Sequence, residues 1–63
     1  MTRRILIQFV DAGARKRARG LIPTRVDAVD NGGRGIDIEV DDLMDVVKAL
    51  DEDGFRFRVE VIS

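Results

Sequence analysis

Histidine, cysteine, tryptophan and tyrosine are all missing from this 63-residue chain, and its only hydroxyls belong to Thr2, Thr24 and Ser63. Such a set contains neither a serine–histidine nor a cysteine–histidine nucleophile, and no zinc site of imidazole or thiolate ligands. Without cysteine there is no disulfide framework to reinforce a small fold. Chemistry is left to carboxylates, arginines and Lys48. A chain this short builds one small core, burying roughly 60% of the surface that the unfolded chain exposes, and such a core scarcely encloses a catalytic pocket. The expectation is a single domain over residues 1–63 that is not an enzyme, with no cofactor and no metal. Apolar runs are too short for a membrane span and the N-terminus lacks an apolar signal core, so a cytoplasmic location is expected.

What the chain does have is segregated charge. Met1 to Arg25 holds seven Lys or Arg against one acid, and Val26 to Ser63 holds eleven acids against four Lys or Arg, behind a net charge of −1. Such a dipole implies internal pairing or a charged partner.

Local patterning supplies the elements. Arg4 to Val10 is apolar on both alternating faces, with Ile5, Ile7 and Phe9 on one and Leu6 and Val10 around Gln8 on the other, as in a central strand. Asp11 is placed to cap a helix through Arg19, with basic residues in its last turn and Gly20 beyond it. The alternative for this stretch is a mobile basic loop, since its alanines offer little apolar face and Gly13 weakens a helix. After Pro23, Thr24 to Asp30 alternates as an outer strand, and Asn31-Gly32-Gly33 turns into a second alternating run over Gly35 to Val40. A three-residue turn sets Ala28 opposite Ile36, Val26 opposite Ile38 and Thr24 opposite Val40, and pairs Arg25 with Glu39 and Asp27 with Asp37. Asp41 and Asp42 open a helix through Asp53 with Leu43, Val46, Val47 and Leu50 on one stripe, and Gly54 ends it. Phe55, Phe57, Val59 and Val61 then alternate with Arg56, Arg58 and Glu60 as a last strand.

The order β, α, β, β, α, β is that of a small two-layer α+β domain of ferredoxin-like type, two helices on one face of an antiparallel sheet. If residues 11–19 are not helical, a hairpin and one helix on a four-stranded sheet remain. In either case the helices cover one sheet face, and the other leaves Leu6, Gln8 and Val10 as a candidate protein-binding surface. An outermost strand also offers an edge for pairing between copies, unless Arg25, Arg56 and Arg58 guard it. The expected function is therefore a protein-interaction module that self-associates, a homodimer, or binds a partner protein.

Arg15, Lys16, Arg17 and Arg19, supported by Arg3 and Arg4, are the candidates for an acidic partner or for the phosphate backbone of a nucleic acid. Against this stands Asp51-Glu52-Asp53 at a helix C-terminus, where the dipole disfavours acids and calls for neighbouring cations. In the proposed fold the two charge runs lie side by side and satisfy each other. RNA-recognition motifs share this element order and stack bases on strand aromatics. Arg34-Gly35 matches the opening of their third-strand motif, but Ile36 and Ile38 replace its aromatics, so nucleic-acid contact is expected at backbone rather than bases. A facing Asp27 and Asp37 with Asp30 nearby has too few ligands for a dedicated cation site.

Overall fold

Asp11 begins the first helix as its sequence position predicts. Its carboxylate accepts a hydrogen bond from the backbone N–H of Ala14 at 2.7 Å, satisfying a donor that the first turn of a helix leaves open. Helix α1 (Ala12–Arg19) follows strand β1 (Arg4–Phe9), buries Ala14 and Ala18, and carries Lys16, Arg17 and Arg19 in its last turn. Two buried alanines let it lie close on the sheet, and the helical alternative for residues 11–19 is the one the chain adopts. In this computed structural model, which describes residues 3–62, strands β2 (Val29–Asn31) and β3 (Gly35–Glu39), helix α2 (Leu43–Glu52) and strand β4 (Phe57–Val61) complete the chain.

All strand pairs are antiparallel, in the order β2-β3-β1-β4. The fold is thus a small α+β arrangement of four antiparallel strands and two helices, with β1 in the sheet interior. Ile5, Ile7 and Phe9 from β1, Ile36 and Ile38 from β3, Val46 and Leu50 from α2 and the two helical alanines form one core. Burying each large aliphatic side chain contributes about 1.5–3 kcal/mol. No helix among the described residues is long and apolar enough to cross a membrane.

Three expectations are corrected. Strand β2 is only Val29–Asn31, where an outer strand was expected from Thr24. Leu21 and Ile22 instead continue from α1 through bonds to the carbonyls of Ala18 and Arg19, and the N–H of Val26 turns back to the carbonyl of Pro23 at 3.0 Å. Ile22 and Val26 therefore enter the core from turns rather than from a strand. The hairpin register moves with them: Asn31 pairs with Gly35, Asp30 with Ile36 and Val29 with Asp37. A three-residue turn is present but starts one residue later, which shifts the partners by two positions and keeps the face assignment. The expected pairs Arg25–Glu39 and Asp27–Asp37 consequently do not form across the hairpin; Arg25 meets Asp42 and Asp45, and Asp37 meets Arg4.

Helix α2 is preceded by a 3-10 turn over Val40–Asp42, and Asp42 makes no side-chain cap bond. The far end closes more completely. Gly54, at φ 75°, donates to the carbonyl of Asp51 at 3.0 Å, and Phe55 donates to that of Leu50 at 3.1 Å. This paired closure satisfies two orphan carbonyls and needs the left-handed conformation that glycine adopts without cost. It also sends the chain toward the end of β1, which fixes where Arg56 and Phe57 emerge.

Candidate functional site

The arginines divide into two groups by what they touch. Arg4 binds Asp37 through Nε at 2.6 Å and reaches the carboxylate of Asp27 at 3.7 Å. Arg15 and Arg19, expected to face Asp51 to Asp53 or an external phosphate, both hold Asp30, at 2.7 and 2.8 Å. Their shared acid is delivered by the shifted hairpin, which sets Asp30 beside Ile36 on the helix side of the sheet. Among the described residues no ion pair involves Asp51, Glu52 or Asp53, so the expected mutual neutralisation of the two charge runs is not what the fold builds. Lys16 and Arg17 stay exposed and outside those pairs.

A second set of arginines, far apart in sequence, meets at the C-terminal end of β1. The register sets Gln8 between Gly35 of β3 and Arg58 of β4, and Phe9 opposite Phe57. The N–H of Phe9 donates to the carbonyl of Arg34 at 2.9 Å, tying the β2–β3 turn to the same end. Gln8, Val10, Arg34, Arg56 and Arg58, floored by Phe9 and Phe57, line an open groove of about 350 Å³. Arg34, Arg56 and Arg58 are exposed, and none joins an ion pair among the described residues. Val10 is 64% exposed, an apolar side chain standing among these cations.

On the other side of Val10 and Arg56 a second groove of about 490 Å³ runs past Arg17, Leu21 and Phe55 toward Asp53. The rings beneath the site pack on one another: Phe9 meets Phe55 edge-on at 6.2 Å between ring centres and Phe57 at 6.3 Å, contacts that add about 0.5–1.5 kcal/mol to burial. Phe9 is buried at the floor and Phe57 is half-buried beside it, so the site offers cations, the exposed Val10 and part of one ring.

Of the predicted surface trio, Gln8 and Val10 stand at this groove and Leu6 does not. Leu6 is only 9% exposed. It leans over Gly35, where an added Cβ would come to 2.9 Å of its Cδ1 and into the carbonyl of Asn31, and its partners in the register are Asp37 and Glu60. The open face is accordingly a charged layer of Arg4, Asp37, Arg58 and Glu60 around a covered leucine, where a broader apolar patch was expected. Arg34, Arg56 and Arg58 were not singled out by sequence as a site; the signal available was Gln8, the one polar residue interrupting an apolar strand.

Among the described residues no three carboxylates gather closely enough to hold a metal ion. Fold and site together define a small α+β domain with a cationic groove at one end of its sheet. In comparisons with known proteins, no family model, curated protein or solved structure matches this chain.

Proposed function

We propose that the chain is a small non-enzymatic interaction module of ferredoxin-like topology that binds an acidic segment of a partner protein at the end of β1. The reading rests on one observation: Arg34 and Arg56, exposed and without acidic partners among the described residues, flank Gln8 and the exposed Val10 in one groove. Guanidinium groups grip carboxylates bidentately, and an apolar residue of the partner covers Val10. Strand order β2-β3-β1-β4 with two intervening helices supports the ferredoxin-like assignment.

The phosphate backbone of a nucleic acid is the competing ligand, through Arg15, Lys16, Arg17 and Arg19. Two of these four are already engaged by Asp30. The exposed acids Asp41, Asp45, Asp51, Glu52 and Asp53 also repel a long polyanion on a molecule only 31 × 21 × 17 Å across, whereas a short peptide segment touches the groove alone.

Fluorescence anisotropy with a labelled peptide of alternating Glu and Leu, and with a labelled single-stranded DNA of equal length, tests the choice. Peptide binding that falls about tenfold or more in Arg34→Ala/Arg56→Ala, and little in Lys16→Ala/Arg17→Ala, supports the proposal. Tighter binding of the DNA, lost with Lys16 and Arg17, replaces it with the nucleic-acid reading.

A further inference from the structure

The sheet ends in two unlike edges. β2 offers three residues, next to a turn of two glycines, and so presents a short edge that resists pairing. β4 offers five, Phe57–Val61, and has β1 as its only neighbour among the described residues. Val59 and Val61 project on the helix side yet remain 42% and 66% exposed, so neither helix covers that margin.

The direction of the free backbone groups follows from one bond. The N–H of Ile62 donates to the carbonyl of Arg4, so Arg58, Glu60 and Ile62 direct their backbone groups toward β1 and Phe57, Val59 and Val61 direct theirs outward. A second strand laid on this edge must therefore bond to these three residues. If that strand is β4 of another copy, related by a two-fold axis normal to the sheet, paired residues must share a face. The candidate registers then differ in which residue lies on the axis.

With Arg58 on the axis, two arginines face each other; with Glu60 on it, two glutamates do. With Val59 on the axis, Arg58 of each copy faces Glu60 of the other, Val59 packs on its own symmetry mate, and Phe57 faces Val61. The Arg58–Glu60 pairs then occupy the non-hydrogen-bonded positions, where side chains across a ladder come closest. About six backbone hydrogen bonds join the strands. Arg58 and Glu60 have no ion-pair partner within the chain among the described residues, and the segment Phe57-Arg58-Val59-Glu60-Val61 is charge-complementary to itself when reversed.

We infer that β4 pairs antiparallel with β4 of a second copy, centred on Val59, to form a continuous eight-stranded sheet held by reciprocal Arg58–Glu60 pairs. Arg34 and Arg56 remain available to the groove, so this assembly does not depend on the proposed acidic partner.

Sedimentation equilibrium of the wild-type chain tests it, with dissociation expected at about 10–100 µM for so narrow an interface. Arg58→Glu and Glu60→Arg each replace attraction by repulsion at both symmetry-related pairs, and each should weaken the dimer by about tenfold or more. The double reversal Arg58→Glu/Glu60→Arg should return it to within about threefold of wild type. Val59→Pro removes an outward N–H while leaving the bonds to β1, so it should be monomeric with an unchanged circular dichroism spectrum. A wild-type chain that stays monomeric up to about 1 mM, a double reversal no better than the single ones, or a dimeric Val59→Pro protein overturns the inference.

Discussion

The two flanks of the sheet treat the same kinds of residue in opposite ways. Toward β2 and β3 three arginines find acids, Arg4 with Asp37 and Arg15 and Arg19 with Asp30, and only Arg34 of the turn has none among the described residues. Its isoleucines, Ile36 and Ile38, are fully buried. On the β4 side Arg56 and Arg58 have no such partner among the described residues, Val61 stands largely in water and Val59 is partly exposed. Neither helix reaches far enough to cover the β4 margin, so its apolar and charged side chains stand together at the surface. One flank is closed by packing and ion pairs, and the other leaves its margin open.

Truncations to alanine on the two flanks give the widest separation. Ile36→Ala should cost about 3 kcal/mol and Val61→Ala only about 0.5 kcal/mol in the monomer, since the first leaves a cavity among buried neighbours and the second removes exposed atoms. Urea unfolding at low protein concentration measures both, and equal losses would break the distinction. A smaller contrast is expected between arginines. Arg4→Ala should destabilise by about 1–2 kcal/mol, because it strands the largely covered Asp37 carboxylate, while Arg56→Ala should leave stability unchanged within about 0.5 kcal/mol. Arg25→Ala belongs with Arg56→Ala at the small end. Its pairs with Asp42 and Asp45 are exposed, and a loss of under about 0.5 kcal/mol in the same assay is expected from screening and side-chain entropy.

Much of this architecture can be read directly from local pattern. Asp11 and Gly54 bound their helices as capping chemistry requires, and the stripe of Val46 and Leu50 faces the core. The two-sided apolar character of β1 matches its place in the sheet interior. The hairpin departs from the local pattern for an identifiable reason. Val26 and Ala28 alternate correctly for a strand, but Ile22-Pro23 folds back after α1 and spends those residues in a turn, where Val26 reaches the core just as well. Alternation reports burial on one side and not the geometry that delivers it. That two-residue slip carries Asp30 to Arg15 and Arg19, and so decides the fate of the basic run.

The groove was illegible for a related reason. Arg34 belongs to a turn, Arg56 to the exit from α2 and Arg58 to the last strand, and only the β1–β4 register and the Phe9–Arg34 bond bring them to one place. Leu6 packs into the space left by the missing side chain at Gly35, a contact that no periodicity records.

By itself the sequence determined the missing chemistries, the order of the four strands and the second helix, and the charge dipole, while leaving residues 11–19 open between helix and loop, because these depend on residue type and on neighbours within a few positions. Only the tertiary structure decided which arginines are neutralised, which apolar residues remain exposed and which strand forms the open edge. Those outcomes depend on distances of a few ångströms between segments remote in the chain, and such distances are set by strand register and turn geometry, where a small slip exchanges one electrostatic partner for another.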